Sequence, residues 1–139
     1  MSLEMLQDVN FAAVAVAALA YFVLGAIWYI PPVMGNMWAK AGGIDTGDQS
    51  VNPLNFIGTY VSYFISGAAT AMLAVASGTD SAEEGAMLGL VVGIGFALTA
   101  AGVTSIYDRK PDPLGWFLIN GLFNTGGLVL VGVIIGAWR

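Results

Sequence analysis

The sequence predicts an all-α integral membrane protein, a single domain over 1–139 built as a four-helix transmembrane bundle with a short interfacial helix after the first span. Three observations predict it. First, 58% of the 139 residues are hydrophobic and only 9% are charged, whereas a soluble domain carries about 25% charged residues; the mean hydropathy is +0.80. There is too little polar surface to clothe a globule in water. Second, the apolar residues fall into four long runs, and about 20 residues at a 1.5 Å helical rise cross the roughly 30 Å of bilayer hydrocarbon. Third, Gly85, Gly89, Gly93, Ala97, Ala101 and Ser105 recur at every fourth position, on one face of a helix. In water such a stretch is a poor helix, since each Gly costs about 1 kcal/mol against Ala. In lipid the same ribbon lets a neighbouring backbone come close. The third span is therefore expected to be the central packing helix.

Taken in order, residues 1–10 form a short acidic leader carrying Glu4 and Asp8. A cleaved signal peptide begins with positive charge, so no cleavage is expected. Residues 11–30 are the first span, with an Ala-rich first half and Trp28 and Tyr29 as interfacial anchors at its end. Pro31-Pro32 stops it, because the residue before a proline is pushed out of the helical region. In the segment 33–41, Met34, Met37, Trp38 and Ala41 sit at i, i+3, i+4 and i+7; this predicts a short helix lying in the interface, with Gly42-Gly43 as its stop. A polar, turn-forming stretch with Asp45 and Asp48 follows. The second span, 56–76, carries the small residues Gly58, Ser62, Ser66, Thr70 and Ala74, again four apart. Asp80, Glu83 and Glu84 suit the start of the third span, 85–107, where the helix dipole favours negative charge. A tight charged loop leads to the fourth span, 114–138, with Trp116 at its entry and Gly132-x-x-x-Gly136 and Trp138 near its end.

Four spans place both termini on one side. Lys40, Arg109 and Lys110 lie in the loops on the other side, against Arg139 alone on the terminal side. Positive loops stay in the cytoplasm, which predicts a multi-pass cell-membrane protein with both termini extracytoplasmic. Trp28, Tyr29, Trp38, Tyr107 and Trp116 are then all expected at the cytoplasmic boundary, as an aromatic belt.

Composition excludes several classes. The absence of Cys removes disulfides, thiolate nucleophiles and zinc–thiolate sites, and the absence of His removes the commonest metal ligand and general base. The net charge of −5 argues against a nucleic-acid partner. No acidic or basic residue falls inside a span, as coupled transport usually needs. Asp45-Thr-Gly matches the aspartic-protease triplet by letters only, without a second triplet. No cofactor and no metal are expected. The partners expected are membrane lipids.

The run Phe22-Val-Leu-Gly25-Ala-Ile-Trp28-Tyr29-Ile-Pro31, continuing through Gly35 and Trp38, resembles the signature of the DUF1761 family of small membrane proteins. Gly89-x-x-x-Gly93, Arg109 and Trp138 fit the same pattern. The resemblance covers nearly the whole chain; the doubled Pro31-Pro32 and the acidic insert at 45–55 depart from it. It implies the four-span architecture. The family is a domain of unknown function, so it implies no activity and no catalytic residue.

One polar face stands out. Asn120 and Asn124 are i, i+4 on the fourth span, and an amide without a partner in hydrocarbon costs several kcal/mol, so this face must look inward. Tyr21, Ser66 and Thr99 are expected at the depth of Asn124, and Thr59, Tyr60, Tyr63 and Thr104 nearer the cytoplasmic side with Asn120. One reading is a polar pocket that holds a small polar solute or a lipid or quinone headgroup. The other, which the residues favour, is interhelical hydrogen bonding that fixes the register of the bundle. With small-residue ribbons on three spans and room to bury two, a homo-oligomer is expected, most simply a C2 dimer. The leading functional expectation is a non-enzymatic, self-assembling bundle able to hold a lipid or other apolar ligand; the alternative is a small uncoupled transporter or pore using the Asn120/Asn124 face. An intramembrane enzyme is the least supported, since no base, nucleophile or metal set is visible.

Overall fold

A computed structural model describes residues 3–47 and 52–138. Asp48 of the acidic turn and Arg139 lie outside the described residues. Four helices are long and apolar enough to cross a membrane: α1 (Phe11–Trp28), α3 (Pro53–Ser77), α4 (Ala82–Tyr107) and α5 (Pro113–Ala137). The short α2 (Asn36–Gly42) follows α1, and a 3₁₀ turn over Leu3–Asp8 precedes it. No strand occurs among the described residues. This is a multi-pass membrane architecture.

Each long helix starts on a side-chain cap that satisfies amides otherwise left without a partner. Asn10 accepts from the amides of Ala12 and Ala13 at 3.1 Å. Asn52 accepts from Leu54, and Asp112 from Gly115. Ser81 accepts from Glu84, whose carboxylate in turn accepts from the amide of Asp80 at 3.0 Å. Pro53 and Pro113 take the first helical positions, where a proline loses nothing. These caps start α3, α4 and α5 one to three residues ahead of the predicted spans. Gly43 and Gly78 end α2 and α3 in the left-handed region, at φ 64° and 73°, as glycine readily allows.

The central helix is α5, not the expected third span. Of the four spans α5 is the most buried and α4 the least. The reason lies in how the glycines are distributed. On α5, Gly132 and Gly136 receive the backbone of α4, while Gly127 receives the ring of Tyr21 from α1. Small residues on two faces let neighbours approach from two sides. The ribbon of α4 serves one face only. A side chain at Gly85 would strike the carbonyl of Gly132, and one at Gly132 the carbonyl of Gly85. One at Gly89 would meet Val129 Cα at 2.7 Å, and one at Gly93 would meet Thr125 Cα at 3.0 Å. Ala97 packs partly against the core, and Ala101 lies near Gly121. Leu88 and Val92 also pack against the core, but much of the remaining surface of α4 is exposed, including Ile94, Phe96 and Ile106. The core proper gathers Val14, Ala17 and Tyr21 of α1, Ala71 and Ala74 of α3, and Phe123, Leu128, Val131 and Ile135 of α5.

Midway along α4 the residues Gly93–Leu98 form a π-helical segment. Threonines take up its carbonyls. Thr99 Oγ1 donates to the carbonyls of Gly95 at 2.8 Å and Phe96 at 3.0 Å, and Thr125 Oγ1 reaches Gly93 at 3.4 Å. In lipid every freed carbonyl needs such a donor.

Both ends of the bundle are tied. At the end bearing the termini, Asn10 Nδ2 donates to the carbonyl of Trp138 at 3.0 Å. At the opposite end the amide of Asp112 donates to the carbonyl of Ala41 at 3.2 Å, so α2 lies against α5. Ala39 and Ala41 are buried there, whereas Met37 is 59% exposed; the predicted stripe of Met34, Met37, Trp38 and Ala41 does not all face the bundle.

Candidate functional site

Two asparagines and three tyrosines of the spans are brought together beside Phe123. Tyr21 is buried, only 2% exposed, and its hydroxyl donates to Asn124 Oδ1 at 2.7 Å and lies 3.3 Å from the Asn124 carbonyl. Asn124 Nδ2 donates back to the carbonyl of Asn120 at 2.8 Å, and Asn120 Nδ2 to that of Trp116 at 2.8 Å. Asn120 Oδ1 accepts from the Tyr29 hydroxyl at 2.9 Å. Each amide thus holds one tyrosine, Tyr21 within α1 or Tyr29 at its C-terminal cap, and one carbonyl of its own helix. The ring of Tyr21 stacks on that of Tyr63 with centroids 3.9 Å apart, and Tyr21, Trp28 and Tyr29 all lie against Phe123, at 5.4, 6.3 and 5.0 Å.

Of the residues expected to share this face, Tyr21, Tyr63, Asn120 and Asn124 meet. Tyr60 does not; its hydroxyl donates to the carbonyl of Ala15 at 3.2 Å, nearer the start of α1. Thr99 is exposed and bonded to its own helix. Thr59 and Thr104 likewise donate to carbonyls one turn back, those of Asn55 and Ala100. Ser66 is half-buried, and its carbonyl accepts from Thr70 one turn on in the same helix rather than from the cluster. A hydroxyl on a helix can satisfy itself on the preceding turn, so hydroxyl residues need no inward face as an amide does.

Tyr29 and Phe123 belong to the cluster although the polar pattern of the sequence does not single them out. The available signal is the spacing of Tyr21, Gly25 and Tyr29, four apart on α1, which repeats the spacing of the two asparagines. The other aromatic residues also differ from a simple belt. Tyr29 packs edge-on against Trp38, which stacks on Trp116 at 5.5 Å, and Lys110 Nζ sits 4.6 Å over the Trp116 ring. The indole N–H groups of Trp28 and Trp38 are buried, with no partner among the described residues. These four aromatics form a packed cap between α1, α2 and α5; Tyr107 and Trp138 stay exposed.

Beside the cluster, α1 and α3 part to leave a groove of about 350 Å³, lined by Phe22, Gly25, Ala26, Tyr29, Phe56, Thr59 and Tyr63. Its size falls within the range of small-molecule sites. Gly25 keeps it open: a side chain there would stand 3.1 Å from Phe123 and 3.8 Å from the Tyr63 hydroxyl.

The model of a family described as a protein of unknown function, DUF1761, matches residues 12–136. The chain belongs to the DUF1761 family. The match begins in the first turn of α1 and ends one residue before α5 does, so the tyrosine–asparagine cluster, the aromatic cap and the groove all lie inside the DUF1761 region. No curated protein and no solved structure matches the chain.

Proposed function

We propose that this DUF1761 protein is a non-enzymatic, self-assembling membrane bundle that holds an amphiphilic, lipid-like ligand in the groove between α1 and α3. The observation that carries the reading is the groove itself. It is walled by aromatic and small residues, and the Tyr63 hydroxyl on its wall has no hydrogen-bond partner among the described residues. A hydroxyl held away from water normally finds a partner. An amphiphile supplies one while covering the apolar walls.

The alternative of an uncoupled pore through Asn120 and Asn124 has less support, because both amides already hold a tyrosine and a helix carbonyl and Tyr21 is buried against Phe123. Self-assembly draws support from the first half of α3. Gly58 has open space where a side chain would stand, and Ser62 is exposed and bonded to its own helix. The orientation we propose puts both termini outside the cytoplasm, since Lys40, Arg109 and Lys110 cluster at the opposite end.

Native mass spectra of the protein released in mild detergent test this reading. A dimer or larger assembly with a reproducible extra mass is expected. Ala26→Leu projects into the groove from an exposed position on α1 and is expected to remove the extra mass while leaving the assembly intact. A clean protein mass in the unsubstituted chain would overturn ligand binding, and a monomer would overturn self-assembly.

A further inference from the structure

The chemistry of the groove narrows the ligand, on the reading that the groove binds one. Four of its seven lining residues, Phe22, Tyr29, Phe56 and Tyr63, are aromatic. Such walls favour a flat ring, which can meet them edge-on or offset. The lining holds no charged residue, so a charged head would lose its hydration without an ion to replace it. The three cations nearest that end of the bundle, Lys40, Arg109 and Lys110, are not part of the lining, and Lys110 is already placed over Trp116.

The hydrogen-bond inventory is equally specific. The hydroxyl proton of Tyr29 goes to Asn120 and that of Thr59 to Asn55. Only the Tyr63 proton remains to be given, so the head must offer an acceptor to it. On the far side of Phe22 and Phe56, which meet edge-on at 6.0 Å, a second cleft of about 320 Å³ is lined by Leu19, Phe22, Phe56, Ile57 and Tyr60. Its exposed lining is wholly apolar. The two spaces share Phe22 and Phe56 as walls.

The geometry points to a neutral, carbonyl-bearing ring with an apolar tail: an alkyl- or prenyl-substituted quinone, its ring among Phe22, Tyr29, Phe56 and Tyr63, one carbonyl accepting from the Tyr63 hydroxyl, and its tail in the cleft beyond Phe22 and Phe56. Binding alone is inferred; no electron transfer is required of the site.

Competition in mild detergent tests it, with a decyl-substituted benzoquinone, dioleoylglycerol and dioleoyl phosphatidylglycerol as probes and native mass spectrometry as the readout. The quinone is expected to bind one per chain. Tyr63→Phe keeps the ring stacked on Tyr21 and removes only the donor, and is expected to weaken the quinone about tenfold. Ala26→Leu is expected to abolish binding. Quinone binding that is indifferent to Tyr63→Phe would overturn the proposed placement of the head. A diacylglycerol or phospholipid that binds in its place, with the same dependence on Ala26, would overturn the quinone while leaving the amphiphile groove standing. If no probe binds in an Ala26-dependent way, both fall.

Discussion

Gly132→Leu is expected to force α4 away from α5 and to destabilise the bundle more than a loss of any one hydrogen bond in the tyrosine–asparagine cluster. Gly85 and Gly132 face each other so closely that a side chain on either would run into the carbonyl of the other, and Gly136 meets Ser81 and Gly85 in the same way. Neither neighbour is a flexible side-chain tip that could swing aside; both are backbone. The hydrogens standing in place of the side chains point at carbonyl oxygens, an arrangement that contributes about 0.5–1 kcal/mol per contact. The Gly132→Leu change removes these contacts and adds overpacking of typically about 1–3 kcal/mol. A total near 3 kcal/mol corresponds to about a hundredfold shift in the unfolding equilibrium. Titration of the purified protein from mild into denaturing detergent, followed by far-UV and near-UV circular dichroism, measures it. Gly126 lies on the same helix, and a side-chain carbon placed on it would meet nothing within 4 Å. Gly126→Leu is therefore the control and is expected to leave the midpoint unchanged. Equal midpoints for the two variants would refute the close packing of α4 on α5.

Asn124→Leu is expected to have the second largest effect. It removes the 2.7 Å acceptor of the Tyr21 hydroxyl and leaves only the backbone carbonyl at 3.3 Å. Interhelical hydrogen bonds in membrane bundles average about 0.6 kcal/mol and reach about 1–2 kcal/mol, and a buried donor left poorly satisfied adds about 1–3 kcal/mol. A loss near 2 kcal/mol follows, roughly thirtyfold in the unfolding equilibrium. Tyr21→Phe in the same background separates the terms. If the amide and the hydroxyl act as a pair, the double variant is expected to be less destabilised than the sum of the singles. A variant that inserted and assembled normally while losing a bound ligand would instead make Asn124 part of a ligand site.

The four spans are legible in the sequence because a membrane crossing is set by length and apolarity, and both can be read without knowing the neighbours. The true starts at Pro53, Ala82 and Pro113 are harder to read, because the caps lie in polar stretches that look like loop. Which helix is central is not legible. The ribbon of α4 is the longer pattern, but centrality needs two usable faces, and only the pairing of Gly127 with Tyr21 against Gly132 with Gly85 reveals those on α5. Asn120 and Asn124 are legible because an amide carries more polar valence than its own helix can satisfy. Thr99 and Thr59 are not separable from them by polarity alone. Tyr29 sits where a boundary rule for exposed aromatics applies, whereas here the rotation of α1 turns it towards Asn120.

The π-helical segment of α4 settles a conflict of phase. A helix advances about 100° per residue, so positions four apart do not stand one above another but drift by about 40° at each step. Over the five steps from Gly85 to Ser105 a strictly α-helical ribbon would wander roughly 200° round the axis, and its ends would face opposite sides. Yet Gly85 and Ser105 are both buried, and Gly89, Gly93, Leu98 and Ala101 all meet α5 on the way. Widening the turn over Gly93–Leu98 to i, i+5 hydrogen bonding lowers the angle per residue just where the drift has built up. Part of the drift is thereby taken back, and the two halves of α4 are turned towards the same side. The period written in the amino acids is closer to four than to 3.6, and the backbone gives way to it in the middle, leaving one long helix in contact with its partner from end to end.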